Sequence, residues 1–104
     1  MSEFTNVTVV KKANIFFGGQ VTSRSVLFAD GSRKTLGVMQ PGDYEFSADV
    51  AESIEVISGE LEWQIQGERG WKKVRTGETF EIPANNVFLL KVLLITDYCC
   101  SFGK

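Results

Sequence analysis

Glu52-Ser53-Ile54-Glu55-Val56-Ile57-Ser58-Gly59-Glu60-Leu61-Glu62-Trp63-Gln64-Ile65-Gln66, in the middle of the chain, alternates apolar with polar side chains through most of its length. An alternation of period two sorts the side chains of an extended strand onto opposite faces, which puts Leu61, Trp63 and Ile65 together on a buried one. Gly59-Glu60 reads as a hairpin turn dividing the stretch into strands over 52–58 and 61–66. Downstream, Gly67-Glu68-Arg69-Gly70 closes another hairpin, 71–74 returns, Thr76-Gly77-Glu78 turns again, and Thr79-Phe80-Glu81-Ile82 is a strand stopped by Pro83. The last two strands are expected over 87–92 and 94–102. Upstream, Tyr44-Glu45-Phe46-Ser47-Ala48 alternates after the turn Gln40-Pro41-Gly42-Asp43, and 35–39 forms a strand. Asp30-Gly31 marks a hairpin after 26–29, Gly18-Gly19 marks a bulge or a close backbone approach, and 4–10 suits an N-terminal edge strand. Short strands with frequent turns and no sustained helical periodicity predict an all-β fold, a single small barrel or sandwich.

The composition agrees with one domain. A chain of 104 residues buries one core, and 43% hydrophobic with 23% charged residues is an ordinary globular balance. The expected division is an N-terminal strand or arm over 1–12 and a barrel over 13–104. The net charge of −2, with Lys and Arg scattered, offers no basic stripe, so no nucleic-acid partner is expected. The longest apolar run, 87–95, is broken by Lys91 and falls far short of the roughly 20 residues of a membrane span, so no membrane partner is expected either. Cys99 and Cys100 are adjacent, and a disulfide between neighbours closes a strained ring; they read as reduced thiols. Free thiols and the lack of an apolar leader point to the cytoplasm.

Two spacings narrow the type of barrel. Glu52, six residues, then Gly59, and Gly77, five residues, then Pro83, resemble the two motifs of cupin-type (RmlC-like jelly-roll) barrels, whose usual chemistry runs on a metal held by histidines. This chain has no histidine. The first motif's ligand positions fall on Phe46 and Ala48, or on Glu45 and Ser47 with the longer spacer. In the second motif Asn85 stands for glycine and Phe88 takes the ligand position. A tight zinc or iron site needs three or four convergent N, O or S ligands, so no metal cofactor is expected and the function falls to an organic pocket.

Further segments carry a more specific likeness: Gly37-Val38-Met39, Pro41-Gly42-Asp43-Tyr44-Glu45-Phe46-Ser47, Glu52 through Leu61, Gly77-Glu78-Thr79-Phe80-Glu81-Ile82-Pro83-Ala84-Asn85, and Asp97-Tyr98-Cys99-Cys100. As a set, covering about 15–102, they resemble the small bacterial pyrimidine/purine nucleoside phosphorylase family. The resemblance implies a metal-free cupin barrel, a homodimer, and phosphorolysis of many nucleosides, with inorganic phosphate as co-substrate, to free base and pentose 1-phosphate. The segment before Asn14 is longer than the family pattern leads one to expect.

Phosphorolysis has an oxocarbenium-like transition state, so it needs a cation for phosphate, partners for ribose and a surface for the base, with no covalent nucleophile. Arg33, between Ser32, Lys34 and Thr35, is the first candidate for phosphate because its planar fork matches the anion; the bland reading is a solvated basic turn. Arg24, between Ser23 and Ser25, is the second. Lys91, polar within an apolar run, faces solvent, an interface or the pocket. Glu52 sits at the barrel mouth by analogy, where it can grip ribose hydroxyls, stabilise positive charge at the anomeric carbon or, with its pKa raised by burial, assist the departing base. Tyr44, Phe46, Phe88 and Tyr98 form a wall for stacking a base, with core packing the competing role for each. Trp63 and Trp71 are assigned to packing, and Ser58 and Asn85 are further polar contacts. Without histidine, neither a Ser-His-Asp triad nor an activated cysteine is available.

Two alternatives stand beside the phosphorylase: a non-catalytic cupin that binds a nucleoside or sugar, and a metal-independent sugar isomerase or epimerase, disfavoured because the usual histidine base is missing.

Overall fold

Nine strands and one 3₁₀ turn make up the fold among residues 3–103, the part of the chain that the computed structural model describes. The strands are β1 (Thr8–Val9), β2 (Asn14–Phe16), β3 (Val21–Leu27), β4 (Arg33–Met39), β5 (Gly42–Ala48), β6 (Glu52–Ile65), β7 (Lys72–Arg75), β8 (Thr79–Ile82) and β9 (Asn86–Phe102). The 3₁₀ turn is Phe17–Gly19. All recorded pairings are antiparallel. They run β1-β3-β4-β9-β6-β7, with β2 on β3, β5 on β9 and β8 on β6.

The 14-residue β6 and the 17-residue β9 lie side by side along their length and form a shared spine. The first half of β9 carries β5 and its second half carries β4, while β6 carries β8 on one half and β7 on the other. Each spine strand thus belongs to two walls, and the bend between its halves closes the barrel.

This is where the sequence reading needs correction. Gly59-Glu60 is a bend within one strand and not a hairpin, and the two strands expected over 87–92 and 94–102 are the single β9. The register slips between Val56 and Ser58, where β6 carries the extra residue, and between Ser58 and Glu60 and between Glu60 and Leu61, where β9 carries it. Gly59 has φ +119°, and a Cβ there would lie 2.6 Å from the Ile95 carbonyl oxygen and 2.7 Å from the Thr96 Cα. Thr76 ties the bulge down: its hydroxyl accepts from the Gly59 N–H at 3.0 Å and donates to the Gly59 carbonyl at 3.2 Å. The edge strand expected over 4–10 is confined to Thr8–Val9, which pairs with Val26 and Leu27.

Leu61, Trp63 and Ile65 do share a buried face, as their alternation predicts. Trp63 stacks on Phe80 with ring centroids 5.1 Å apart, and Leu61, Val56, Val21 and Ile82 are completely buried. Trp71 is half-buried beneath the ammonium of Lys91, 4.3 Å from its ring centroid. The core runs from Val74, Phe80 and Ile82 on β7 and β8 to Val21, Met39, Tyr44 and Ala48 on β3, β4 and β5, and leaves a hollow lined by residues of β2, β3, β4, β5, β6 and β9.

Candidate active site

Register places the inward side chains around this hollow in rows. One row runs Asn14 on β2, Ser23 on β3, Gly37 on β4 and Tyr98 on β9. Two residues along each strand, a second row runs Ser25, Thr35, Cys100 and Ile54. Two residues further, Arg33 begins β4 where Phe102 and Glu52 pair across β9 and β6. Alternation turns these positions inward, so polar groups far apart in sequence line one hollow.

The hollow is a cavity of about 310 Å³. One end holds Arg33, Glu52, Thr35 and Cys100; the other holds Asn14, Ser23 and Tyr98. The lining also holds Phe46 and Phe88, stacked with centroids 5.7 Å apart, and Phe16, which is two residues past Asn14 on β2 and edge-on to Phe46 at 5.7 Å. Met39, Leu90, Ile54 and Phe102 complete the apolar lining, with Ser47 at its rim.

At the charged end, the Arg33 guanidinium lies over the Phe102 ring, its carbon 4.1 Å from the centroid. Stacking holds the plane in place and leaves its N–H edge free for an anion. Among the described residues Arg33 and Glu52 close no ion pair; the recorded pair is Lys73 with Glu60 at 3.3 Å. Burial raises the Glu52 pKa above its ordinary 4.5, against the opposing pull of a hydrogen bond from Cys100 and the charge of Arg33. The Cys100 thiol donates to Glu52 Oε1 at 3.5 Å. Burial, and next the charge of Glu52, hold that thiol well above the ordinary cysteine range.

At the polar end, the Asn14 amide donates from Nδ2 to the Ser23 hydroxyl at 3.2 Å and to the Ser25 hydroxyl at 3.5 Å. Tyr98 reaches toward Ser23 across Gly37, where a Cβ would lie 2.8 Å from the tyrosine ring. Glycine at that position is what lets the ring lie flat over β4. Burial pushes the Tyr98 hydroxyl up to about 12, with the hydrogen bond to Ser23 pulling the other way.

Of the candidate residues read from the sequence, the fold brings Glu52, Arg33, Phe46, Phe88 and Tyr98 into this cavity. Five others lie outside its lining. Tyr44 is buried in the core, its hydroxyl donating to the Gln40 carbonyl at 2.7 Å. Arg24 points outward and donates from Nε to the Lys11 carbonyl at 3.1 Å. Lys91 also points outward, over Trp71, and Ser58 is exposed beside the bulge. Asn85 has φ +63° in the turn before β9 and does not line the cavity. Sequence reasoning missed Asn14, Cys100, Phe16 and Phe102, and named Thr35 and Ser23 only as hydroxyl neighbours of Arg33 and Arg24. Only register joins Asn14 and Ser23 to Tyr98, while Cys100 was set aside as a nucleophile without being weighed as a partner for Glu52. The cupin ligand positions are occupied by the Phe46 and Phe88 rings and by buried Ala48. No cluster of three or more His, Cys, Asp or Glu able to hold a metal occurs among the described residues. No helix among them is long and apolar enough to cross a membrane.

Comparison with known proteins supplies the context. The sequence profile of the pyrimidine/purine nucleoside phosphorylase family matches residues 11–102. A pyrimidine/purine nucleoside phosphorylase of Pelobacter propionicus is 62% identical over 102 residues, 98% of each chain, and one of Chlorobium chlorochromatii is 61% identical over the same shares. The segment ahead of Asn14 therefore has its counterpart in these relatives. A crystal structure of a protein of unknown function from Acinetobacter sp. ADP1 superposes with a TM-score of 0.93 at 38% identity, covering 97% of this chain and 98% of that one. An RmlC-like cupin from Shewanella frigidimarina superposes at 0.69 with 14% identity, covering 97% of this chain and 86% of that one, a likeness of fold.

Proposed function

The chain belongs to the pyrimidine/purine nucleoside phosphorylase family, and from that premise we propose that it is a nucleoside phosphorylase that accepts both base classes and works without a resident metal. In the reaction, a phosphate oxygen bonds to C1′ of the nucleoside as the C1′–N bond breaks. The base leaves with the bonding pair and takes up a proton, and the other product is pentose 1-phosphate.

The observation that carries this reading is that one cavity holds a guanidinium over an aromatic ring, a half-buried carboxyl beside it and aromatic faces in the same lining. Arg33, exposed at the mouth of the cavity, offers phosphate two N–H donors and a positive charge. Glu52 stays protonated to higher pH than an ordinary carboxyl and is the proton source for the departing base. Phe46, Phe88 and Phe16 give the base apolar contact, which every base can use, so purines and pyrimidines both fit the same wall. Metal independence is supported by the phenylalanines in the cupin ligand positions, which offer no lone pair to an ion. A homodimer formed through outward apolar side chains is also part of the proposal.

Incubating the pure protein with inosine and with uridine tests it. Base release is expected only when phosphate is present and at a rate unchanged by EDTA. Release that ignores phosphate, or activity abolished by the chelator, overturns the corresponding part. Thermal stabilisation by nucleoside without any turnover would support the non-catalytic binding cupin instead.

A further inference from the structure

The polar end of the cavity has no part in the chemistry above, yet its groups are brought together from three strands. We infer that Asn14, with Ser23 and Tyr98, forms the subsite that reads the hydrogen-bonding edge of the base; this rests on the phosphorylase reading and specifies it.

Geometry sets the position. Arg33 and Gly37 on β4, Glu52 and Val56 on β6, and Phe102 and Tyr98 on β9 are each four residues apart, so the charged row and the polar row are separated by roughly 13 Å of strand. With ribose and phosphate at Arg33 and Glu52 and the base against Phe46 and Phe88, the edge of the base that faces β2 and β3 meets Asn14, two residues from the Phe16 that packs on Phe46.

Chemistry explains the choice of groups. The Asn14 amide spends Nδ2 hydrogens on Ser23 and Ser25, which leaves its carbonyl oxygen as an acceptor. Ser and Tyr hydroxyls both donate and accept. An N–H beside a C=O, the pattern shared by uracil and hypoxanthine, finds an acceptor in Asn14 and a donor in the Tyr98 hydroxyl. The reversed pattern of cytosine and adenine is met by turning the hydroxyls and the amide. An ambivalent edge reader beside an aromatic wall is the arrangement expected of a site that takes both base classes, whereas a fixed donor or acceptor array would reject one.

The products separate the two ends of the site, because the free base has the edge without the sugar and ribose 1-phosphate has the sugar without the edge. For Asn14→Ala the inhibition constants of uracil and hypoxanthine should rise about tenfold, while that of ribose 1-phosphate should stay within about twofold. Asn14 also ties β2 to β3, so Tyr98→Phe, which keeps the ring and removes the hydroxyl, is measured alongside with the same expectation. An equal loss for base and for ribose 1-phosphate in both variants, or no loss for the bases, overturns the inference. A wild-type protein that does not release base in phosphate sinks the phosphorylase reading itself, so the two failures are distinct.

Discussion

Glu52 and Cys100 come from strands adjacent in the barrel but 48 positions apart in sequence, and their contact links a carboxyl to a weak acid that holds its proton more firmly still. Because the folded Glu52 pKa lies above its ordinary 4.5, the unfolded chain gives up that proton first as pH rises, and the native state loses stability across the window from 4.5 to the folded value. Glu52→Gln, which cannot ionise, should therefore gain Tm relative to the wild type as pH rises above 4.5 and level off once Glu52 is charged in the fold; a difference independent of pH would refute the burial argument. The same variant should lose about 10²–10⁴ in kcat, the usual contribution of a positioned proton donor. In the wild type kcat/KM should fall as pH rises through the Glu52 pKa. Cys100→Ala, by removing the hydrogen bond that holds that pKa down, should move the fall to higher pH; a shift the other way would contradict it. Glu52 was legible in the sequence because motif spacing marks it, and Arg33 because a cation flanked by hydroxyl residues stands out beside a strand. Asn14, Ser23 and Cys100 were not, since each is an ordinary strand residue until register sets it beside its partner.

β6 and β9 are the elements on which the barrel depends, and both were misread for the same reason. Glycine after a polar residue signals a turn far more often than a bend, and a strand of 17 residues exceeds common lengths, so local signals favour cutting it. What decides otherwise is tertiary: the Ile95–Thr96 backbone presses against Gly59, and Thr76 supplies the hydrogen bonds that the bulge lacks. Gly59→Ala meets both a collision and a backbone conformation closed to L residues, and should destabilise the fold by roughly 2–4 kcal/mol in urea denaturation. A loss below the error of that measurement would mean that the bend does not need glycine. The strands with clean alternation, such as the Leu61, Trp63 and Ile65 run, were legible because burial on one face imposes period two and nothing competes with it.

At the scale of the whole molecule, the all-β barrel was legible and the apolar outer surface was not. Leu36, Val38 and Ile57 are each more than a third exposed on the outer side of β4 and β6, with buried Cys99 between Leu36 and Glu55 in the register. Strand alternation shows which residues oppose the core, yet cannot tell solvent from a second copy on that side. If this face carries the homodimer, Val38→Asp should convert a dimer to a monomer in sedimentation equilibrium while the monomer stays folded; an unchanged mass would place the contact elsewhere. The central claim, that a histidine-free barrel transfers a pentose to phosphate, is tested most directly by ³¹P NMR of the protein with inosine and inorganic phosphate. The account predicts a pentose 1-phosphate resonance growing in step with free hypoxanthine. Hypoxanthine appearing with free ribose, or no turnover at all, would contradict it.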